Sequence, residues 1–392
     1  MPDGAEALTV RTVDKIATVD AAAWDRCAGG VNPFVSHAFL RLLEEAGCVG
    51  KKSGWLPQHA LLEDSAGRLL AAAPAYLKSH SYGEYVFDHG WADAYERAGG
   101  RYYPKLQVAV PFTPVPGPRL LVPPGPAETR HRRALLSGLV EVARALEVSG
   151  VHITFLAPEE AALAEDAGLL MRHGCQYHWF NRGYRAFDDF LDALVSRKRK
   201  QIRKERELVR ASGFAVRPVH GGEMKPREWD AFFKFYVDTY DRKWGYPYLT
   251  REFFGRLGKE LGEKVVMMVA ARDGATVAGA LNLRGSDALF GRNWGAAADF
   301  PYLHFEACYY QAIDYAIAKN LARVEAGTQG PHKVQRGYEP VRTFSAHWIA
   351  DRRFKNAVAQ FLERERHAVA QEIDAMAAHT PFRCADARGE SL

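Results

Sequence analysis

The order of hydrophobic and polar positions is repeated once along this chain. Two segments share it: HALLEDSAGRLLAAAPAYLKSHSYGEYVFDHGW, around Gly67, and VVMMVAARDGATVAGALNLRGSDALFGRNWG, around Gly274. In each segment, a short turn that contains Asp and Gly separates two apolar runs. This pattern predicts one β-hairpin in each half of the chain.

Each predicted hairpin is followed by an amphipathic helix and a short buried strand. Apolar residues recur at helical spacing over 130–146 and 303–319, and the short strands follow at 151–157 and 322–327. Last strands are predicted at 176–181 and 343–349. A repeat of about 200 residues is too long for a solenoid, whose period is about 20–50 residues. The pattern therefore predicts a duplicated α/β domain.

The predicted domains are 1–182 and 183–352, followed by a C-terminal helix and tail over 353–392. The length of 392 residues favours two domains, because single cores rarely grow beyond about 250–300 residues. Asp188 and Asp189 open an amphipathic run that predicts one helix over 187–210. A Pro-rich loop is predicted at 111–126 and another amphipathic helix at 354–379. The predicted fold class is α/β (α+β).

Composition and charge limit the class of protein. The chain is 47% hydrophobic and 12% aromatic with a net charge of +5, which excludes a disordered protein. Its longest apolar run, 69–77, is shorter than the ~20 residues of a membrane-spanning helix, so we expect no membrane span. The five cysteines include no CxxC pair and the N-terminus lacks a secretory signal, so we expect reduced thiols and a cytoplasmic location.

Several common catalytic motifs are missing from the sequence. It contains no GxxxxGK[ST], GxGxxG, HExxH or GxSxG. This disfavours a P-loop NTPase, a Rossmann-type cofactor, a zincin and an α/β-hydrolase. No metal cofactor is expected.

The most basic run is SRKRKQIRKER, at 196–206. A solvated helix face explains such a run, and so does a surface that binds cofactor phosphates, an acidic carrier protein or an RNA backbone. On a helix with about 3.6 residues per turn, Arg199, Arg203 and Arg206 share one flank. A guanidinium group can bind two phosphate oxygens at once, so this flank is a candidate phosphate-binding surface.

In the second half, FGRNWG leads through a loop into the helix that begins near Leu303. Free N–H groups at a helix N-terminus bind anions, so this loop is a candidate ligand site. His304 and Glu306 lie in the first helical turn. Packing at the helix end is the simpler explanation of His304, and the helix dipole alone favours an acid at Glu306.

Glu325 lies at the end of a predicted buried strand, where open α/β sheets place their chemistry. Glycines in the following GTQGPHK segment would let the backbone approach a ligand closely. His332, Lys333 and Arg336 come next. This density of polar groups after a buried strand favours a functional site over packing.

In the first half, LKSHSYGEYVFDHGW predicts strand positions for Lys78, His80, Tyr82, Glu84 and Asp88. Successive residues of a strand face opposite sides of the sheet. A carboxylate among so many aromatic residues is expected to be either ion-paired or catalytic.

Several segments resemble one known family. They are YLKSHSYGEYVFD, YYPKLQVAVPFTPVPGPRLL, FDDFL, SRKRKQIRKER, RKWGYPYLT, GRNWG, LHFEACYYQAIDYAI and VEAGTQGPHK. From Asn32 to Ile349 the chain closely resembles the bacterial FemAB-like, peptidoglycan-biosynthesis-type proteins of the GNAT N-acyltransferase superfamily. The resemblance implies tandem GNAT-like (acyl-CoA N-acyltransferase) folds in a pseudo-duplicated two-domain protein, with a cleft between the domains.

The resemblance also implies an N-acyltransferase. The acyl group would move from a thioester, acyl-CoA or an acyl-carrier protein, to a primary amine such as a Lys or Orn side chain of a peptide, or to a cell-wall precursor. The flank of Arg199, Arg203 and Arg206 is then expected to face the inter-domain cleft and to hold the phosphates of this donor. Direct attack by the amine needs a base, for which Glu325 is the first candidate, Glu84 the second and His304 the third. The residues expected to bind substrate or donor are Arg199, Arg203, Arg242, Lys243, Trp244, Arg292, Asn293, Trp294, Glu306, Gln329, His332, Lys333, Arg336, His80 and Asp88.

Two departures from the family pattern keep alternatives open. The GNAT pyrophosphate loop, Q/RxxGxG/A, is not found at 293–303, and the long helical hairpin of Fem ligases is missing unless 187–210 replaces it. One alternative is a ligase that adds amino acids from aminoacyl-tRNA to a peptidoglycan precursor, although tRNA is less expected as a donor than a thioester. The other is a non-catalytic module that binds an amine or a peptide.

Overall fold

The computed structural model describes residues 7–242, 245–328 and 330–383. These residues form two compact units, each assembled from separate segments of the chain. The first unit comprises the described residues of 1–174, 246–262 and 343–369, and the second those of 175–245, 263–342 and 370–392. The predicted domains are continuous in sequence, whereas 246–262 and 343–352 belong to the first unit here.

The described residues form fourteen strands. In chain order they are β1 Thr9–Val13, β2 Trp55–Pro57, β3 His59–Glu63, β4 Leu69–Ala73, β5 Ala75–Lys78, β6 Lys105–Val108, β7 Gly150–Leu156, β8 Leu170–Phe180, β9 Ala215–His220, β10 Val265–Arg272, β11 Ala275–Arg284, β12 Ala288–Ala296, β13 Arg323–Glu325 and β14 Glu339–Ile349.

The helices include the amphipathic segments that the sequence predicts. They are α1 Ala21–Ala28, α2 His37–Glu45, α3 His89–Arg97, α4 Glu128–Ala145, α5 Pro158–Asp166, α6 Phe187–Asp192, α7 Ser196–Ala211, α8 Pro226–Asp241, α9 Arg251–Leu261, α10 Leu303–Phe305, α11 Gln311–Ala318 and α12 Arg352–Ala377. A π-helical turn, Glu306–Tyr310, joins α10 to α11.

The first unit contains a three-stranded antiparallel sheet and a second group of paired strands. The small sheet has the order β1-β3-β4, and its β3–β4 pair is the predicted hairpin around Gly67. In the second group, β5 pairs with β2 and β6, β6 runs parallel to β7, and β7 pairs with the end of β14. Helix α4 buries Leu135, Leu136 and Leu139 in the main core of this unit.

The second unit has the strand order β8-β13-β12-β11-β10-β9. Strands β10 and β11 form the predicted hairpin, with Asp273 and Gly274 at positive φ in its turn. Both residues tolerate the left-handed conformation that a two-residue hairpin turn needs. Strands β12 and β13 are parallel, and the helical segment 303–318 connects them. Its apolar face packs on Val324 and Leu289 in the core of the unit.

Both units therefore contain the same crossover. A helix connects two neighbouring parallel strands, β6 to β7 in the first unit and β12 to β13 in the second. Parallel neighbours need such a long connection because the chain must return to the same end of the sheet. The duplicated α/β arrangement that the sequence predicts is confirmed.

The prediction of one helix over 187–210 is wrong. The helix is interrupted between α6 and α7, where Val195 N–H donates to the Pro381 carbonyl at 2.9 Å and Arg383 N–H donates to the Ala193 carbonyl at 3.0 Å. Leu194 is fully buried between these contacts and forms a β-bridge with Phe382. The backbone leaves the helix because it pairs with a segment from the end of the described chain.

The predicted strand positions at 79–88 are also wrong. Strand β5 ends at Lys78, and the chain continues as a loop until helix α3 begins at His89. The reason is tertiary: polar side chains of this loop turn inward onto the buried Lys105.

One negative finding concerns membranes. Among the helices that the structure describes, none is long and apolar enough to cross a lipid bilayer.

Candidate functional site

Glu325 is the best-placed carboxylate of the second unit. It ends the short strand β13, beside the parallel strand β12, and is 3% exposed. Its Oε1 accepts a hydrogen bond from Arg323 Nε at 2.8 Å, since residues two apart on a strand share a face. Its Oε2 has no hydrogen-bond partner among the described residues. The structure thus holds a buried carboxylate with one oxygen available.

The surroundings of Glu325 tune its acidity. Burial raises its pKa, the Arg323 guanidinium opposes that effect, and Asp287 adds to it; the resulting pKa is about 7. Such a carboxyl group exchanges a proton readily near neutral pH, which is what a general base must do. Perturbed acids of this kind are found more often at functional sites than elsewhere.

His178 is a candidate that sequence reasoning missed. It lies on β8 directly opposite Glu325 in the β8–β13 pairing, and its Nε2 is 3.7 Å from Glu325 Oε2. Burial, with Arg323 and Lys333 nearby, lowers the pKa of His178 to about 3, so the imidazole is neutral. No motif spacing connects positions 178 and 325, because only strand register brings them together. The polar His178 within the aromatic run YHWF was the available signal.

The start of the 303–318 helical segment is lined by aromatic rings. His304 packs 5.4 Å from the Trp294 ring and 5.3 Å from the Tyr309 ring, and the Tyr309 hydroxyl lies 3.2 Å from His332 Nε2. A bulge in β12 adds Arg292 between the Asn282–Gly291 and Leu281–Asn293 pairs. The structure therefore brings Trp294, His304 and His332 together.

Two predicted donor-binding cations are buried and engaged within the second unit. Lys333 Nζ donates to the carbonyls of Ala326 and Gly327, at 2.5 and 3.3 Å, in the turn after Glu325. Arg336 pairs with Glu205 at 3.0 Å and lies 3.6 Å above the Phe305 ring. These contacts brace the segment that follows β13. Gln329, in the same segment, lies outside the described residues.

The arginines of helix α7 differ in their surroundings. Arg199 pairs with Asp192, and Arg203 with Asp188, each at 3.0 Å. Arg206 holds the predicted ligand residue Glu306 at 3.1 Å, so that carboxylate already has a counter-ion.

A cavity of about 610 Å³ opens along α7. Its charged lining consists of four basic side chains, Arg203, Lys204, Arg206 and Arg210, and two acidic ones, Asp188 and Glu207, which pair with Arg203 and Arg210. Phe187 provides an aromatic wall. A second cavity, of about 330 Å³, shares Arg206 and Arg210 and reaches the π-helical turn at Glu306. The predicted phosphate-binding residue Arg203 lines the larger cavity, whereas Arg199 lies outside its lining.

Arg242, Lys243 and Trp244 were predicted to bind a ligand. Arg242 is exposed, and it donates hydrogen bonds to the carbonyls of Ala296, at 3.1 Å, and Asp238, at 3.2 Å. Lys243 and Trp244 lie outside the described residues.

Glu84 and Asp88 belong to a buried charge cluster in the first unit. Lys105 Nζ donates to Glu84 at 2.8 Å, to Asp88 at 2.5 Å and to Ser81 at 2.9 Å, and Tyr102 donates to Asp88 at 2.6 Å. Burial raises the pKa of Glu84 to about 7, whereas Lys105 holds the pKa of Asp88 well below its usual range despite burial. Glu84 is therefore ion-paired, in a different unit from Glu325 and His304.

Lys78 and His80 adjoin this cluster. Lys78 Nζ lies 4.0 Å above the Trp55 ring, and burial lowers its pKa to about 7. His80 is half-buried, and its ring packs 5.1 Å from that of Tyr82, which is 60% exposed. The loop 79–88 thus exposes the aromatic ring of Tyr82 to solvent, whereas its carboxylates are buried and paired with Lys105.

Within 7–242, 245–328 and 330–383, no group of three or more His, Cys, Asp or Glu side chains is arranged to hold a metal ion.

A comparison with protein families decides the classification. The model of the FemAB-like family, described as peptidoglycan biosynthesis/recognition, matches residues 15–384. The chain belongs to the FemAB-like family. No curated protein sequence matches this FemAB-like chain.

Solved structures share its fold at low sequence identity. FemX is 11% identical with a TM-score of 0.56, covering 88% of this chain and 98% of FemX. L-PGS from Bacillus licheniformis is 12% identical with a TM-score of 0.50, covering 85% of this chain and 98% of that one. A tandem GNAT protein from the clavulanic acid biosynthesis pathway is 13% identical with a TM-score of 0.47, covering 88% and 99%.

The fold of this FemAB-like chain is a pseudo-duplicated GNAT-like α/β fold, as the resemblance in sequence implies. The repeated helix crossover between parallel strands agrees with it. The family model relates this chain to peptidoglycan biosynthesis or recognition.

Proposed function

We propose that this FemAB-like protein transfers an acyl group from a thioester donor to a primary amine, with Glu325 as the base. The observation that carries the proposal is the buried Glu325 carboxylate, which has one oxygen unpaired and a pKa of about 7. It ends β13 beside the parallel strand β12, at the position where open α/β sheets commonly bind ligands.

The proposed step is a direct transfer. Glu325 takes a proton from the acceptor's ammonium group, and the nitrogen lone pair then forms a bond to the thioester carbonyl carbon. The C–S bond breaks, the second nitrogen proton goes to the leaving thiolate, and Glu325 returns its proton to solvent. The products are an amide and a free thiol, and no enzyme nucleophile is used.

The donor's phosphates are proposed to occupy the cavity along α7. Its four basic side chains, from Arg203 to Arg210, face a space of about 610 Å³. Guanidinium groups suit phosphate because their planar fork matches two oxygens. The smaller cavity, which shares Arg206, extends this surface to the π-helical turn of the crossover helix.

The test is a product assay. The full chain is incubated with acyl-CoAs of several chain lengths and N-α-acetyl-lysine amide, and the amine is followed by mass spectrometry. The proposal expects the amine to gain the mass of the acyl group. Absence of product with every thioester and with charged tRNA would leave only a non-catalytic module.

The rate should depend on pH through Glu325. Only its ionised form accepts a proton, so kcat/KM for the acceptor, which reports the pKa of the free enzyme, is expected to rise about tenfold per pH unit below pH 7 and to level off above it. Arg323, Asp287 and His178 are charged or titratable groups near it, and Arg323 stays charged across this range. A profile of kcat/KM against pH, measured with the acceptor well below its KM, checks the inflection. A flat profile from pH 5.5 to 8 would remove Glu325 as the base.

Charge removal in the cavity should weaken donor binding. The double variant Arg203→Ala/Arg210→Ala is expected to raise the donor's KM at least tenfold with Tm nearly unchanged, because hydrogen bonds to charged groups contribute about 1.5–3 kcal/mol each. The control is Arg197→Ala/Lys200→Ala, which removes the same charge from exposed positions of α7 outside the cavity lining. Equal effects of the two double variants would indicate a general charge effect and contradict a donor site in the cavity.

An aminoacyl-tRNA-dependent ligase is the second candidate function. The observation that favours it is the exposed basic face of α7, where Arg197, Lys200, Arg203, Lys204 and Arg210 are all exposed. A helix of this kind can follow a nucleic-acid backbone, and its binding then weakens steeply with salt. Thermal shifts with CoA, acyl-CoA and bulk tRNA at 50 and 200 mM salt separate the two donors, because a ligand of the native state raises Tm.

A further inference from the structure

Two polar atoms of His178 and Glu325 face each other without a hydrogen-bond partner among the described residues. His178 Nε2 and Glu325 Oε2 are 3.7 Å apart, and neither atom has a hydrogen-bond partner among the described residues. The two side chains are 5% and 3% exposed. A distance of 3.7 Å is too long for a hydrogen bond between them in either tautomer of the imidazole. Buried polar atoms are normally satisfied, so two facing orphans need an explanation.

The chemistry of the two atoms defines what fits between them. The imidazole is neutral, because burial strongly disfavours its charged form. In the tautomer that carries its proton on Nδ1, which the proposal below adopts, Nε2 of the neutral imidazole is an acceptor, and an ionised carboxylate oxygen is only an acceptor. Two adjacent acceptors are satisfied by one group that carries at least two hydrogens. A primary ammonium group carries three, and Glu325 supplies the negative charge that desolvation of a cation requires.

We propose that His178 Nε2 and Glu325 Oε2 together bind the ammonium group of the acceptor amine. This proposal rests on the proposed function, since it assigns the acceptor's reacting nitrogen to a particular place. In the transfer step, one proton passes to Glu325 and the neutral amine keeps its hydrogen bond to His178. His178 thereby orients the nucleophile and selects amines with at least two N–H groups.

The kinetic test separates acceptor from donor. His178→Phe preserves much of the ring volume but cannot accept a hydrogen bond, and it is expected to raise the acceptor's KM about 10–100-fold with the donor's KM unchanged. His178→Gln keeps an acceptor oxygen and should recover part of the loss. The matched control is His347→Phe, which alters another buried histidine with an unpaired Nε2, in the first unit. An unchanged acceptor KM in His178→Phe would overturn the proposal and leave the acyl transfer standing.

A binding test needs no turnover. Ethylammonium and tetramethylammonium chlorides are titrated into the full chain, and the ¹⁵N signal of His178 Nε2 is followed. Ethylammonium should shift the signal in a saturable way, tetramethylammonium should not, and Glu325→Gln should weaken the binding at least tenfold. If ethylammonium binds saturably but the protein transfers no acyl group, the ammonium site is supported and the proposed acyl transfer is contradicted. No shift with ethylammonium, or equal shifts with both cations, would mean that only water occupies the position.

Discussion

Replacing Glu325 with glutamine is expected to lower kcat by about 10²–10⁴-fold, the usual contribution of a positioned general base. Glutamine retains an oxygen for the hydrogen bond from Arg323 but cannot take the proton of an ammonium group. Steady-state kinetics with saturating donor and acceptor measure the change. Turnover of Glu325→Gln within tenfold of the parent would show that the proton goes elsewhere.

The same substitution should leave stability intact at pH 8. The pKa of Glu325 in the folded chain, about 7, lies above its ordinary value of 4.5, so the ionised carboxylate costs stability. That cost appears as pH rises from about 4.5 and is complete above about 7. Glutamine removes it, so the Tm of Glu325→Gln at pH 8 is expected to equal or exceed that of the parent.

The matched control is Glu160→Gln. Glu160 is also a fully buried carboxylate, but it accepts backbone N–H groups from Arg119 and Leu120 and so has a structural role. This variant should lower Tm while the folded protein keeps its kcat. A loss of kcat without a loss of Tm in Glu325→Gln, and the reverse in Glu160→Gln, would separate a catalytic role from a structural one. The same changes of kcat and Tm in both variants would contradict the assignment of Glu325 as the base.

Replacing Lys105 with alanine is expected to lower the free energy of unfolding by about 3–5 kcal/mol. This is the usual effect of removing one partner from a buried ion pair, because the remaining charge is left without compensation. Lys105 is fully buried and is the shared counter-ion of Glu84 and Asp88. Urea denaturation at pH 8 measures the change. A loss below 1 kcal/mol would mean that the cluster is solvated.

The pH dependence and two further variants test the reason for this loss. Without Lys105 the folded-state pKa of Asp88 is expected to rise above its unfolded value, and that of Glu84, which burial already raises, to rise further. The deficit should therefore be smaller at pH 5 than at pH 8. Lys105→Met combined with Glu84→Gln and Asp88→Asn should recover much of the stability, since neutral groups need no counter-ion. Lys52→Ala, at an exposed turn of the same unit, should change stability by no more than about 0.5 kcal/mol.

The sequence alone determined the elements that depend on local pattern. Both hairpins, the crossover helices and the C-terminal helix follow from alternating or helical spacing of apolar residues, and spacing is a property of neighbours in the chain. The place of Glu325 at the end of a buried strand could also be predicted, because apolar residues precede it in the sequence. The resemblance to the family was evident too, because its motifs are contiguous stretches of sequence.

Only the tertiary structure decided which residues that are distant in sequence come into contact. The helix break at 193–195 depends on pairing with 381–383, and the loop at 79–88 depends on Lys105, which lies beyond the next helix. The partnership of His178 with Glu325 depends on the register of β8 and β13. Local pattern carries none of this information, because strand pairing and ion pairing are chosen by the free energy of the assembled unit rather than by neighbouring residues.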